Sequence, residues 1–215
     1  MRVVVARNPV KQENLIWSFE DTETTSGYLY IREALEALGY TILSVTADGF
    51  SGIKTGFYGI PYQMCQVHME RLVIQGTTRS PQTEAGQVLL ALVRTLFQGT
   101  NSHLFHTRLK NYIEKYNDFL NEKTIHPLTD EWSWTHEDLR RAVLRLRRHE
   151  KYLFTYEHNK NIPKTTNSLE GHFGHIKKLI RTHHGILKTN AQKILHSILL
   201  ASTTAPTQDK LDEIL

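Results

Sequence analysis

Asp48 and Glu170 are the two carboxylates best placed to do chemistry. Asp48 follows the β-branched run Thr41–Ala47 and precedes Gly49. A carboxylate just past the C-terminal end of a strand points into the crevice where α/β sheets bind ligands. Asp-Gly is also the commonest of turn pairs, so the residue alone fits a turn as well as a ligand. Glu170 belongs to Thr165–Gly185, TTNSLEGHFGHIKKLIRTHHG. Asn167 or Ser168 as N-cap and Gly185 as stop predict one helix here. Leu169, Phe173, Ile176 and Ile180 form its apolar stripe. Glu170 falls in the first turn, where a carboxylate either favours the positive helix end or reaches a bound cation. His172, His175, Lys177, Lys178, Arg181 and His183 follow it. A single acid on an otherwise basic helix suits a metal site that handles nucleic acid.

Other clusters have readings of two kinds. Cys65 and His68 are spaced like half a zinc site, but a structural zinc needs four ligands and the chain has one Cys. A buried thiol and a hydrogen-bonded imidazole are the ordinary alternative. Leu139–Lys151 carries Arg140, Arg141, Arg145, Arg147, Arg148 and Lys151 against Glu150. Such a nearly single-signed face fits phosphate contact as well as solvation. Trp132 and Trp134 fit either stacking on an unpaired base or the packed floor of a helical layer.

The elements that must position these groups divide the chain. Val3–Ala6 and Asn14–Phe19 read as a hairpin within residues 2–19. Thr24–Leu38 has helical spacing of Tyr28, Ile31, Leu35 and Leu38, with Gly39 after it. Thr41–Ala47 and Tyr62–Val67 read as further strands, giving an α/β sheet with some parallel pairing. Beyond Glu70 the pattern turns helical, over Glu84–Phe97, His103–Leu120, His136–Tyr152 and Asn190–Ala201. Residues 202–215 read as a tail.

Composition sets the outer limits. A chain of 215 residues, 40% of them hydrophobic, buries one substantial core or two small ones. Net charge is +4 and the isoelectric point about 9.1, a balance that favours an anionic partner. Twelve His make that charge sensitive to mild acid. One Cys excludes a disulfide framework and fits a reducing compartment. No apolar run reaches membrane-span length, and the first residues lack a signal peptide's apolar region. The reading is a cytoplasmic protein without a membrane partner.

Four strings, Ser44–Gly52, Ile60–Arg71, Thr78–Leu96 and Asn161–Gly185, together resemble bacterial insertion-sequence transposases of the mutator-like group. The resemblance spans nearly the whole chain. It implies a ribonuclease H-like mixed sheet and a catalytic Asp-Asp-Glu triad holding two Mg2+ ions, with Mn2+ as a substitute. It makes Asp48 the second Asp and Glu170 the terminal Glu, both catalytic and metal-binding, with Cys65 and His68 as the Cys-x-x-His motif near the site. It makes residues 1–69 and 160–201 the catalytic core and 70–159 a helical insertion. The partners implied are DNA, as transposon ends and target, and further copies of the chain when it is intact. Arg140, Arg141, Arg145, Arg148, Lys177, Lys178 and Arg181 are the DNA-binding candidates.

The sequence departs from the family at its front. The family's first Asp precedes a strand like Val3–Ala6, where only Met1 and Arg2 stand here; Glu13, Glu20, Asp21 and Glu23 are placed elsewhere. The reading is therefore a transposase truncated at its N-terminus, without the first strand, and expected to bind DNA without cutting or joining it. A catalytically inactive DNA-binding remnant is the alternative. A metal nuclease using His172, His175, His183 and His184 is a third reading, and it lacks the ββα-type turn such sites require.

Overall fold

The computed structural model describes residues 2–171, 173–174 and 187–201. These form a helix-rich α/β protein whose strands pair two by two, in three separate sheets. The chain divides into two compact units.

In the first unit, β1 (Arg2–Asn8) and β2 (Glu13–Glu20) form the expected antiparallel hairpin. Asn8 makes the turn, its side-chain oxygen accepting from the amides of Val10 and Lys11 at 3.0 and 3.1 Å. The register sets Val3 opposite Phe19 and Val5 opposite Trp17. With a side-chain period of two, all four fall on one face. That face receives Leu195 and Leu199 of the C-terminal helix, Lys188–Ala201. The buried Asn14 amide donates to the Leu199 carbonyl at 3.1 Å, and Trp17 Nε1 donates to His196 Nδ1 at 3.1 Å. Helix α1 (Thr25–Ala37) is capped by Thr24 and buries Ile31 and Leu35, while Leu38 remains exposed. A short helix, α2 (Ser51–Gly56), meets α1 closely: a Cβ on Gly56 would lie 2.8 Å from Tyr28 Cβ.

The second unit, Thr46–Gly49 with Tyr62–Thr165, is mostly helical. Strands β3 (Val45–Ala47) and β4 (Tyr62–Met64) pair with each other. Val45 N–H donates to the Pro61 carbonyl and Cys65 N–H to that of Ala47, so the bonds advance together along both strands, as in a parallel pair. After β4 come α3 (Gln66–Thr77), α4 (Glu84–Arg94), α5 (Ser102–Lys115) and α6 (Asn117–Leu120). A hairpin of β5 (Lys123–Ile125) and β6 (Trp132–Trp134) leads into α7 (Glu137–His149). Leu139, Val143 and Leu146 of α7, with Leu153 beyond it, are buried as their spacing predicts. Helices α3 and α7 cross where Gly76 permits it: a Cβ there would stand 2.4 Å from the Asp138 carbonyl oxygen and 2.8 Å from Ala142 Cβ. Gly76→Ala should therefore lower stability by about 1–3 kcal/mol, read as a melting temperature several degrees lower, despite alanine's better helix propensity.

Three sequence expectations need correction. The run 41–44 is not strand, because Leu43 is 65% exposed and the segment lacks the two-sided burial of a parallel strand. The strand at Tyr62 stops at Met64, and α3 takes over at Gln66. Gln66, Met69, Val73 and Thr77 are buried at helical spacing, and that period prevails over the short β-prone run. Strand does recur after Glu70, as β5–β6. The described residues pair their strands in three two-stranded sheets, so a helix-rich α/β fold is what they show of the expected mixed sheet. The final helix begins at Lys188, and its parallel to the expected Asn190–Ala201 is close. No helix among the described residues is long and apolar enough to cross a membrane.

Candidate metal and nucleic-acid site

Asp48 stands exposed immediately after β3, at the carboxyl end of the parallel pair. The next residue turns the chain away with a φ of +101°, a conformation that suits glycine. Space imposes the same choice: a Cβ on Gly49 would lie 2.9 Å from Met64 Sδ and 3.3 Å from His149 Cε1. Tyr62 is buried beside this turn, and burial holds its hydroxyl well above the usual tyrosine range. The Asp48 carboxylate adds to that rise, while the Gly49 backbone opposes it. Asp48 thus lies close enough to Tyr62 to be felt. Hard oxygen donors of this kind are what Mg2+ takes.

Cys65 and His68 are placed by α3. Cys65 is fully buried as the N-cap residue, and its amide reaches the Ala47 carbonyl at 2.8 Å, one residue before Asp48. His68 lies in the first turn, half-buried, with a ring nitrogen within 4.8 Å of the Cys65 sulfur. Sulfur and imidazole are soft donors that suit zinc rather than magnesium. The pair therefore fits a supporting place beside the strand end better than a place in a magnesium shell.

Sequence reasoning missed a polar clamp around β4. Gln63, fully buried, donates from Nε2 to the carbonyls of Met64 (2.8 Å) and Leu153 (2.9 Å) and accepts from the Tyr156 amide at 3.0 Å. Gln66 Nε2 donates to the same Leu153 carbonyl at 3.1 Å. Thr155 Oγ1 donates to the Tyr62 carbonyl, Thr46 Oγ1 to that of Pro163, and the Gln66 amide to that of Lys164. Residues 153–164 are thereby strapped along β3 and β4. The only sequence sign was a Gln at each of two positions that an apolar strand would fill otherwise.

The chain leaves this strap and enters the helical turn at 167–171 that carries Glu170. Glu170 lies in the first unit and Asp48 in the second. The Glu170 amide donates to the Thr166 carbonyl at 2.9 Å and its carboxylate accepts from Thr166 Oγ1 at 3.3 Å, as a first-turn position predicts. Asp21 is accounted for otherwise. It is exposed after β2 and bonded to Lys188, whose hydrogen bond and charge hold its carboxyl below the usual range. That contribution is present above the ordinary carboxylate pKa and goes as the pH falls through the lowered one.

The candidate DNA-binding arginines of α7 divide by partner. Arg140 is half-buried, donating to Asn121 Oδ1 at 2.6 Å with its guanidinium 4.1 Å from the centre of the Trp134 ring. Arg141 pairs with Glu137 one turn back. Arg145 and Arg148, with Arg147 between them, are exposed and have no carboxylate partner among the described residues. Lys177, Lys178 and Arg181 lie outside the described residues, as do His172, His175, His183 and His184.

A family model described as Transposase IS66 family matches residues 23–190. No curated protein and no solved structure matches the chain. The insertion-sequence transposase reading of the motifs stands in that match, whereas the mutator-like group is a narrower statement that it does not carry.

Proposed function

The chain belongs to the IS66 family of transposases, and from that premise we propose that it carries the metal-dependent catalytic site of DNA transposition. Asp48 and Glu170 are the acids that hold Mg2+ in this reading, within a ribonuclease H-like core to which residues 70–159 add a helical insertion. The observation that carries it is the position of Asp48, an exposed acid at the carboxyl end of a parallel strand pair, followed by a glycine whose φ of +101° disfavours a larger residue. Bound magnesium would supply charge stabilisation at the phosphate under attack and at the oxygens that enter and leave it.

The protein's own residues orient and hold. Asp48 presents oxygen from a strand end fixed by the Cys65–Ala47 hydrogen bond. Glu170 presents a second carboxylate from a helical turn that the Gln63–Gln66 strap leads into. Arg145 and Arg148 meet the DNA backbone; Lys177, Lys178 and Arg181, outside the described residues, are further candidates for phosphate contact on their sequence alone. Arg140 and Arg141, engaged within the protein, contribute less than their exposed neighbours.

DNA binding tests the reading directly. Affinity for random duplex should fall steeply with salt, with a slope of about −0.9 per phosphate contacted. Arg145→Ala combined with Arg148→Ala should weaken all sequences alike and reduce that slope by about 2. Affinity indifferent to salt would remove DNA as the partner.

A further inference from the structure

Beyond the acids and the basic helix, the β5–β6 hairpin presents a surface that transposition by a metal site does not itself explain. Its register sets Lys123 opposite Trp134 and Ile125 opposite Trp132, so these four side chains share one face. Ile125 is 65% exposed and Trp132 is 55% exposed, and Leu128 at the tip is more exposed still. The two indoles meet edge to face, with centroids 5.2 Å apart at 81°. Lys123 Nζ lies 4.1 Å from the centre of the Trp132 ring and 5.1 Å from that of Trp134. Arg140 lies over the half-buried Trp134, while Trp132, with Lys123 at one face, is the more exposed ring.

The hairpin holds this surface in place. Thr124 and Thr135 share a hydroxyl hydrogen bond of 2.7 Å, and the His126 amide closes the loop on the Glu131 carbonyl at 2.8 Å. The charges around the rings are unevenly matched. Glu122, next to Lys123, is engaged by His136 at 3.0 Å, while Lys123 and Arg140 have no carboxylate partner among the described residues. Asp130 and Glu131 stand at the loop, away from the Lys123 end of the strands.

We infer that this face is a stacking platform for an unpaired stretch of DNA, with a base on Trp132 and a flanking phosphate on Lys123. An aromatic ring beside an unmatched cation complements a nucleotide, which offers a π face and a negative charge at adjacent positions. Duplex DNA keeps its bases stacked inside and offers this face only phosphates. The inference rests on DNA being the partner, as proposed above, and adds the kind of DNA and the residues that recognise it.

The experiment uses the full chain with a labelled oligothymidylate of about twenty nucleotides and a duplex of equal length. Trp132→Ala is expected to weaken oligothymidylate binding about 10- to 100-fold and duplex binding less than about twofold. Trp132→Phe should retain most of the affinity, and Lys123→Ala should reduce the salt slope for the single strand by about 0.7. A probe with 2-aminopurine in mid-strand should be quenched by the wild type and not by Trp132→Ala. Its fluorescence reports stacking at the ring even where the Trp132→Ala chain folds less well, because Trp132→Phe provides the folded comparison. Single-strand binding unchanged in Trp132→Ala, with duplex binding intact, overturns the platform alone. Wild-type protein that binds neither strand form overturns the DNA reading itself. A self-association that Trp132→Ala disrupts, with single-strand affinity unchanged, would assign the face to a second copy and also overturn the platform.

Discussion

Asp48→Ala is expected to abolish the stabilisation that magnesium gives the wild-type chain. An ion that binds only the folded state stabilises it by about 2.7 kcal/mol at a hundredfold excess over its Kd. For a chain of this size that corresponds to a melting temperature higher by roughly 5–10 °C. Asp48 is exposed and its backbone neighbour Gly49 sets the turn, so truncating the side chain removes the carboxylate oxygens and opens no buried cavity. Glu170→Ala should behave in the same way. Asp21→Ala should keep the magnesium effect, because Asp21 is occupied with Lys188. Differential scanning fluorimetry across a magnesium titration, with calcium as a second ion, measures all three. A magnesium shift that survives in Asp48→Ala would remove this residue from the metal site, and with it the catalytic assignment.

The placement of Asp48 was legible because two local signals coincide there: a β-branched run and an Asp-Gly turn. The structure moves the start of that strand to Val45 without moving its end. The first hairpin was legible for a similar reason, since Val3, Val5, Trp17 and Phe19 alternate and Asn8 supplies its own turn chemistry. His68 was read at a strand end and stands on a helix, because Cys65-Gln66-Val67 has strand-like composition while its burial follows the α3 period. A six-residue window cannot separate those two cases.

The arginines show a different limit. Arg140, Arg141, Arg145 and Arg148 are alike in sequence and unlike in structure, since Trp134 and Asn121 occupy one and Glu137 another. Partners from β6 and from the α6–β5 junction half-bury Arg140, which spacing along α7 does not contain, whereas the Glu137–Arg141 pair follows that spacing at i,i+4. The strap at 153–164 was hidden for the same reason. It is built from side chain to backbone hydrogen bonds between residues about ninety positions apart, which leave no periodic trace.

That strap carries the largest stability change we expect from a single substitution. Gln63→Leu keeps the volume of the side chain and removes its three hydrogen bonds. Leu153 retains the Gln66 amide as a donor, but the Tyr156 amide loses its acceptor and the Met64 carbonyl loses a donor inside the protein. A buried polar group left unsatisfied costs about 1–3 kcal/mol, so the loss should total roughly 3–5 kcal/mol. The expected fall in melting temperature is about 10 °C or more. Gln63→Glu separates this hydrogen-bond effect from packing. A carboxylate can still accept from Tyr156 yet can donate to neither carbonyl, and burial raises its folded pKa above the unfolded value. Its stability should therefore be greatest at low pH, where the protonated acid donates one hydrogen bond, and be lost as the pH rises through the raised pKa. Equilibrium unfolding of both variants between pH 4 and about pH 8 provides the test. A Gln63→Leu chain that melts within about 2 °C of wild type would show that the clamp is replaced by solvent, and that residues 153–164 are held to β4 by apolar contact alone.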